Sequence, residues 1–355
     1  MNYILCLILI AILWLFLNIF YLFKKEYFTN RNLRIYYGII LVYRKPSTIK
    51  THRVFKSKTL VYLNIILFTI VLTLFYYSMI SSIMVKTGFL KGIPAQLLLP
   101  GVNITGIDLL FFLIAVAIAA TIHELMHAYT AVSRGIRVKS IGFTIIFILP
   151  VAFTEVDEKD FDKTTSRNRV IVLSAGPVSN FLLALVANIL LVLFIAPYGL
   201  AILEVQSNSL AWNYGLKPGD IIVKINDTEA SVETLFKYMS IEDDIDLKLL
   251  IISNGAMREI IVHKPFNTTR LGVRITGRPV DFLIKSIGQY SSILLLLAIN
   301  WIYVVNLGLA LVNAAPLFIS DGGRVFYELF KNKNIGHIVN TISLLILILA
   351  VAPIQ

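Results

Sequence analysis

The chain has 355 residues, of which 57% are hydrophobic and 15% are charged, and its formal net charge is +11. With a mean hydropathy of +0.79, this composition excludes an ordinary soluble domain and predicts a polytopic membrane protein. A single cysteine, Cys6, excludes an intramolecular disulfide and an all-cysteine metal site. Any metal must therefore be held by His, Asp or Glu.

Runs of about 20 apolar residues, the length that crosses roughly 30 Å of hydrocarbon, predict about six membrane-spanning helices. The first helix has neither a positively charged start nor a small-residue cleavage site, so we interpret it as a retained helix rather than a signal peptide. The predicted spans cover residues 2–23, 60–84, 107–133, 170–200, 286–320 and 338–355.

Basic residues are concentrated between the first two helices, where residues 24–58 hold ten Lys or Arg and one acid, Glu26. Loops rich in Lys and Arg stay cytoplasmic, so this placement favours orientation in a lipid bilayer and no nucleic-acid partner. Alternation then predicts a cytoplasmic loop at residues 134–169 and extracytoplasmic N- and C-termini. Short loops and the single cysteine suggest a prokaryotic plasma membrane, with an archaeal source within that range.

The third helix contains HELMH at residues 123–127, which matches the HExxH pattern. His123 and His127 share one helical face and can bind one zinc ion, while Glu124 reaches a zinc-bound water as general base. Three ionisable groups in a membrane helix are costly unless a metal compensates them, which disfavours the alternative of a polar helix-packing cluster. Arg134, seven positions later, puts the motif roughly 10 Å inside the cytoplasmic boundary.

The following loop contains an apolar stretch, SIGFTIIFILPVAFTE at residues 140–155, which is rich in β-branched and aromatic residues and broken by Pro150. It is too short for two crossings, so it predicts a re-entrant β-hairpin or an interfacial strand pair. Such backbone is tolerated at membrane depth only where it faces protein or a water-filled cavity.

The fourth helix opens with SAGPVSN at residues 174–180, in which Gly176 and Pro177 permit close helix approach. Asn180 is a candidate for binding a substrate carbonyl or its oxyanion. An interhelical hydrogen bond is the alternative role for Asn180.

Residues 204–285 have the composition of a small soluble domain inserted between two membrane helices. The stretch GLKPGDIIVKINDTEA at residues 215–230 predicts a turn, a strand and a second turn. A helix at 232–239 and strands at 247–252 and 258–263 follow. This order resembles a PDZ domain, a peptide-binding fold, with a generic small β-rich domain as the alternative.

A third metal ligand is required, because catalytic zinc takes three protein ligands. Asp321 is the candidate, since it ends 35 uncharged residues and lies in NAAPLFISDGG, residues 313–323. Asn313 and Pro316 interrupt the helix there, and the two glycines let the backbone turn closely around a metal. Asn313 is also a second candidate for a substrate-binding or oxyanion residue. Without the HExxH motif, Asp321 would be interpreted as an ordinary acid at the membrane interface. The remaining histidines are poorly placed to be the third ligand, namely His52, His263 and His337.

Together, HExxH, a GPxxN helix start, a PDZ-like insertion and NxxPxxxxDGG resemble the site-2 protease family over about residues 100–330. The resemblance implies an intramembrane zinc metalloprotease that cuts membrane-spanning segments of other proteins. It implies metal ligands at His123, His127 and Asp321 and a catalytic Glu124.

The resemblance also implies that the hairpin at 141–156 holds an extended substrate by β-pairing. Residues 99–103 and the basic segment 38–51 are similar to the transcription-factor-activating members. One departure is Ser320, where many members carry Leu.

The expected fold is an all-α polytopic membrane protein with a re-entrant β-hairpin and one inserted small α+β PDZ-like domain. Residues 1–106 would form an N-terminal two-helix membrane region with a basic cytoplasmic loop. Residues 107–200 and 278–355 would form the metalloprotease core, and residues 201–277 an extracytoplasmic PDZ-like domain.

The expected function is regulated intramembrane proteolysis of a single-span membrane protein with one Zn²⁺, the PDZ-like domain serving as gate, docking site or peptide binder. The main alternative is a non-catalytic zinc-stabilised membrane receptor or scaffold, which would need a fourth ligand. A divalent-metal transporter would need further acidic or His residues, and helices two, four and six lack them.

Overall fold

A computed structural model describes residues 3–49, 57–330 and 333–352, with side chains described from residue 8 onward. The chain forms two compact units, Met1–Leu185 with Trp301–Gln355, and Val186–Asn300.

Long apolar helices make up most of the first unit. The helices that lie wholly or partly in it are α1 (Tyr3–Phe23), α2 (Lys25–Asn30), α3 (Lys58–Lys86), α4 (Gly106–Ser133), α5 (Glu158–Lys163), α6 (Ser166–Phe194), α10 (Gln289–Ala314), α11 (Asp321–Leu329) and α12 (Lys333–Val351). Five helices in the described part of the chain are long and apolar enough to cross a membrane, namely α3, α4, α6, α10 and α12, and the described apolar part of α1, Ile8–Phe23, is shorter. The chain is a multi-pass membrane protein.

Six of these helices, α3, α4, α5, α6, α10 and α11, share one buried apolar cluster. Small side chains on α4 and α10 let the helix backbones approach closely, as is usual for helix pairs in membranes. This packing fixes the helix that carries HExxH against α6. The cluster includes Phe68, Val71, Ala131, Val172, Val178, Ala310 and Ala314.

A four-stranded antiparallel sheet, ordered β1-β2-β3-β4, belongs to the same unit. The predicted hairpin is present as β3 (Val138–Ile146) and β4 (Leu149–Val156). The basic segment after α1, predicted as a loop, instead supplies β1 (Leu33–Tyr36) and β2 (Ile40–Pro46). β2 pairs with β3 along its whole length.

Both hairpin turns of this sheet are bonded to α1. The buried side chain of Trp14 donates from Nε1 to the carbonyl oxygen of Phe147 at 2.9 Å. Asn18 Nδ2 donates to the carbonyl oxygen of Gly38 at 2.7 Å. The two carbonyls belong to turn residues with positive φ, 58° at Phe147 and 72° at Gly38. We infer that α1 holds the turns of the sheet in place.

Trp14→Phe is expected to destabilise the protein by about 1–3 kcal/mol, since it keeps an aromatic ring but leaves the carbonyl of Phe147 without its donor. A thermal unfolding midpoint in detergent measures the effect. The matched control is Trp212→Phe, because Trp212 is 56% exposed. Equal midpoints for both variants would show that the bond to α1 does not support the sheet.

The second unit contains a six-stranded sheet with the path β10-β5-β6-β8-β9, and β7 paired to β6. Its strands are β5 (Ile195–Val205), β6 (Ile221–Ile225), β7 (Thr228–Glu229), β8 (Ile245–Ser253), β9 (Ala256–Lys264) and β10 (Val273–Pro279), and its short helices are α7 (Leu210–Asn213), α8 (Val232–Met239) and α9 (Asp281–Ile287).

The core of this unit lies between α8 and the sheet, where Leu235 and Met239 pack with Ile222, Leu249 and Ile251. α8 has the bounds expected for the predicted helix, because its apolar residues recur at helical spacing. With two sheets in the chain, the all-α part of the expected fold class is wrong. The fold class was inferred from the overall composition, which the long apolar helices dominate. The strands of both sheets are short and contribute little to it.

Candidate active site

α4 places the two histidines of HExxH side by side. His123 and His127 are both buried, and their Nε2 atoms are 3.1 Å apart. Nδ1 of His127 is 2.8 Å from the carbonyl oxygen of Val172 on α6. Because a carbonyl oxygen only accepts, Nδ1 of His127 carries the proton and its Nε2 presents a lone pair. That is the tautomer a metal ligand needs.

Asp321 joins this pair from almost 200 residues further along the chain. Its Oδ2 is 3.0 Å from Nε2 of His123 and 3.1 Å from Nε2 of His127. Ligand atoms of the three residues all lie within 4.8 Å of one another. The structure therefore brings together the three residues that were predicted to hold the metal.

The donor set and spacing fit a zinc ion. Zinc in proteins binds His nitrogen and Asp oxygen at about 2.0–2.2 Å, so the ligand atoms of a tetrahedral site are roughly 3.3 Å apart. The observed separations of 3.0 and 3.1 Å are close to this value. Gly176 on α6 leaves the space open, since a Cβ there would lie 2.4 Å from Nε2 of His127 and 2.6 Å from Nε2 of His123.

Ser320 explains how Asp321 is presented. Its buried hydroxyl accepts from the backbone N–H of Gly323 at 3.0 Å and so caps the first turn of α11, which begins at Asp321. The chain is folded tightly here, because a Cβ on Gly323 would lie 1.8 Å from the carbonyl oxygen of Leu317. Ser320 is therefore the N-cap of the helix that starts with the predicted third ligand.

The far end of α11 is held as well. Glu328 pairs with Arg169 at 2.6 Å, and the hydroxyl of Ser166 donates to the backbone carbonyl of Glu328 at 2.8 Å. Arg169 and Ser166 begin α6. α11 is thus fixed at its first turn by Ser320 and at its last turn by α6.

Ser320→Ala is expected to cost about 0.5–2 kcal/mol through loss of the N-cap. It should also weaken zinc binding, because Asp321 lies in the freed turn. Thermal unfolding and chelator competition measure the two effects. Ser57→Ala is the matched control, since Ser57 occupies the N-cap position of α3 and makes no capping bond. An unchanged zinc affinity in the Ser320 variant would contradict the role given to the cap.

Glu124 is half-buried beside the histidines, and it faces the small sheet. A cavity of about 200 Å³ is lined by Glu124 and by residues of β2, β3 and β4. The hydroxyl of Thr154 on β4 donates to the backbone carbonyl of Glu124 at 2.8 Å. The last strand of the sheet is therefore bonded directly to the residue predicted to act as base.

The two asparagines that are candidates for binding substrate or its oxyanion occupy different positions. Asn180 is fully buried and its amide is 3.2 Å from Nδ1 of His123, whereas Asn313 is half-buried near the end of α10. His337 is bonded to the hydroxyl of Tyr327, and His263 to Asp246. His52 lies outside the described residues. Neither His263 nor His337 belongs to the group formed by His123, His127 and Asp321.

Several contributors to the site were not found by sequence reasoning. The carbonyl of Val172 has no side-chain signature, and the Arg169–Glu328 pair joins residues far apart in sequence. Thr154 was recognised only as part of the hairpin. The Ser-x-x-Gly spacing before α11 was the one available signal, because Ser is a favoured N-cap residue.

Comparisons with known proteins point to the same part of the chain. The profile of Peptidase family M50 matches residues 111–350. An uncharacterized protein of Methanocaldococcus jannaschii is 29% identical over 315 residues, which cover 85% of this chain and 81% of that protein. A putative zinc metalloprotease of Clostridium acetobutylicum is 25% identical over 259 residues, covering 56% of this chain and 75% of that protein.

A plant protein is also similar. The membrane-bound transcription factor site-2 protease homolog of Arabidopsis thaliana is 27% identical over 164 residues, which cover 44% of this chain and 31% of that protein.

Proposed function

Since the chain belongs to peptidase family M50, the site-2 protease family, and is a multi-pass membrane metalloprotease, we propose that it is a zinc-dependent intramembrane endopeptidase. Its substrates are single-span membrane proteins, cut within their membrane-spanning segments to release regulators. One observation carries this proposal: Asp321 of α11 meets His123 and His127 of the apolar helix α4, which also bears Glu124.

The residues of the site divide the chemistry between them. His123, His127 and Asp321 would hold a zinc ion, which would supply Lewis-acid chemistry to the scissile carbonyl and to water. Glu124 takes a proton from the attacking water and passes it to the leaving amine. Thr154 holds the backbone of Glu124 against the sheet, so the carboxylate keeps its position during both transfers.

The small sheet supports cleavage of a membrane substrate. A helical substrate satisfies its backbone groups internally, so unwinding it in the membrane demands new partners for them. β4 is one of the two terminal strands of the sheet in the described chain, and it is bonded to α4 at Glu124. We propose that the substrate strand pairs with β4, where its peptide bond lies next to the general base.

Two features of the second unit support the proposal that the PDZ-like domain, residues 201–277, binds a peptide. A groove of about 590 Å³ lies between α8 and the strand β10, and Leu235, Phe236 and Met239 line it. β10 is a terminal strand of its sheet in the described chain. An extended peptide can add to such an edge and place alternate side chains against the helix.

Phe236→Ala is expected to weaken binding of an extended hydrophobic peptide at least tenfold, because Phe236 lines the groove and is 74% exposed. Fluorescence anisotropy with the intact protein in detergent measures the affinity. Phe266→Ala is the matched control, since Phe266 is 56% exposed but does not line the groove. Equal affinities for both variants would argue against peptide binding there.

We propose the remaining topology from the charge distribution. The basic segment and residues 134–169 are cytoplasmic, both termini and the PDZ-like domain are extracytoplasmic, and the membrane is a prokaryotic plasma membrane. Residues 1–106 form the N-terminal region, and residues 107–200 with 278–355 form the catalytic core.

Cysteine labelling tests this topology. In a Cys6→Ser background, the variants Asp162→Cys and Asp227→Cys should react with a membrane-impermeant maleimide from opposite sides of the membrane. Reaction of both from one side would overturn this topology.

Incubation of the purified protein with candidate single-span substrates tests the proposed activity. Cleavage is expected with zinc present, and should stop on addition of a chelator and return when zinc is restored. The alternative of a zinc-stabilised receptor or scaffold predicts substrate binding without cleavage. Cleavage that persists in chelator would contradict the zinc-dependent mechanism.

A further inference from the structure

The amide of Asn180 lies against His123 on the side away from the other ligands. Its Nδ2 is 3.2 Å from Nδ1 of His123, whose Nε2 faces Asp321. The Asn180 side chain is fully buried, and its Oδ1 has no hydrogen-bond partner among the residues that the structure describes. A buried amide oxygen without a donor is costly, so this arrangement needs an explanation.

The orientation of the amide decides which nitrogen of His123 carries the proton. The oxygen and nitrogen of an Asn amide are distinguished by their hydrogen bonds, because their positions are nearly equivalent. If Nδ2 donates to His123, then Nδ1 is the acceptor and Nε2 carries the proton, which prevents Nε2 from binding a metal. If Oδ1 takes the place of Nδ2, the Nδ1–H of His123 donates to it, and Nε2 is free to be a ligand.

We propose that Asn180 is a positioning residue that accepts a hydrogen bond from Nδ1–H of His123 through Oδ1, and so directs Nε2 of His123 toward the metal. The exchange gives Oδ1 a donor but takes Nδ2 away from Nδ1 of His123, so the number of hydrogen bonds does not decide between the two orientations. The orientation is decided by the tautomer of His123 that a zinc ligand needs. This assignment replaces the oxyanion-binding role predicted from the sequence with one that acts through His123. It rests on the proposed metal site of the protease.

The second histidine is held in the same way, which supports the assignment. Nδ1 of His127 donates to the carbonyl oxygen of Val172, also on α6. Val172, Gly176 and Asn180 are spaced four residues apart and therefore lie along one face of α6. Gly176 leaves the space in front of both Nε2 atoms. One face of α6 thus supplies an acceptor for each histidine and the gap between the two acceptors.

The assignment separates Asn180 from the reacting carbonyl. An oxyanion residue must present an N–H to the substrate, whereas the Asn180 side chain is fully buried and its amide contacts His123. Partners of this kind, an oxygen acceptor behind a metal-binding His, typically change metal affinity 10- to 100-fold when removed. Metal affinity is therefore the readout that distinguishes the two roles.

The test compares Asn180→Leu, which removes the acceptor, with Asn180→Asp, which keeps it. Zinc affinity is measured by chelator competition on the purified full-length protein, and cleavage is measured in parallel. We expect the Leu variant to bind zinc 10- to 100-fold more weakly. The Asp variant should bind zinc at least as tightly as the wild type and keep cleavage within about tenfold, because a carboxylate behind the histidine is a common arrangement.

Asn64→Leu is the control for the loss of a buried amide between helices. Asn64 on α3 donates to the hydroxyl of Ser174 on α6 at 2.6 Å and does not contact a ligand, so zinc affinity should be unchanged. Wild-type zinc affinity in the Leu variant would overturn the proposal. So would loss of cleavage in the Asp variant at full zinc occupancy, which is the result expected of an oxyanion residue.

The Asp variant alone decides the question if the Leu variant does not fold. A wild-type protein that binds no zinc would instead overturn the proposed function on which this assignment rests.

Discussion

Replacement of Glu124 by Gln is expected to abolish proteolysis while leaving zinc bound. Glutamine has the size of glutamate but cannot take a proton from water, so the general base is lost. Removal of such a group costs on the order of 10²–10⁴-fold in rate. The three converging ligand atoms belong to His123, His127 and Asp321, so the zinc content should remain one ion per chain.

The comparison requires cleavage rates and zinc content from the same preparations. Glu158→Gln is the matched control, since Glu158 is an exposed residue in the first turn of α5, and it should cleave at the wild-type rate. A Glu124 variant that still cut its substrate would exclude Glu124 as the base. Loss of zinc from that variant would instead indicate that Glu124 helps to hold the metal.

Gly176→Ala is expected to remove both zinc binding and activity. The added Cβ would lie 2.4 Å from Nε2 of His127 and 2.6 Å from Nε2 of His123. These contacts are far inside van der Waals distance, so the methyl group would displace the histidines or occupy the place of the metal. A close-packed interior cannot move aside to accept both the methyl group and a zinc ion, so we expect zinc content below roughly 0.1 equivalent per chain.

Gly308→Ala is the matched control for a glycine in a membrane helix. A Cβ added at Gly308 on α10 meets no atom within 4 Å, so zinc content and cleavage should be unchanged. If the Gly176 variant bound zinc normally, the ion would have to lie elsewhere than between α4 and α6.

The grouping of His123, His127 and Asp321 could be predicted because the types of these side chains are visible in the sequence. HExxH fixes two ligands on one helical face through helix geometry alone. An isolated acid such as Asp321, after 35 uncharged residues, is conspicuous in a membrane segment. The helix α8 and the hairpin of β3 and β4 were predicted for a related reason, since apolar periodicity and turn residues are local signals.

Other parts of the fold depend on contacts that no local pattern reports. β2 pairs with β3 across about a hundred residues, from Ile40 with Ile146 to Pro46 with Ser140. The Lys and Arg that mark the orientation of this segment also masked its alternating strands. The predicted all-α fold was wrong because these strands were hidden among basic residues, while long apolar helices dominate the composition.

The roles of Ser320 and Asn180 could not be assigned either, although both residues were noticed in the sequence. In the sequence, Ser320 only departs from the pattern of the site-2 protease family, and the structure reveals its bond to the N–H of Gly323. For Asn180 the sequence leaves both substrate binding and an interhelical hydrogen bond open, and the structure places its amide 3.2 Å from Nδ1 of His123 on α4. The type of a polar residue can be read from sequence, but its partner is set by the packing of two helices.

The position of the cut tests the central proposal most directly. A single-span substrate is incubated with the wild-type protein and zinc, and the product termini are mapped by mass spectrometry. We expect cleavage inside the apolar segment, near its cytoplasmic end, and no such product with Glu124→Gln. A cut confined to the soluble flanks of the substrate, or the same product from the Glu124 variant, would contradict intramembrane proteolysis by this site.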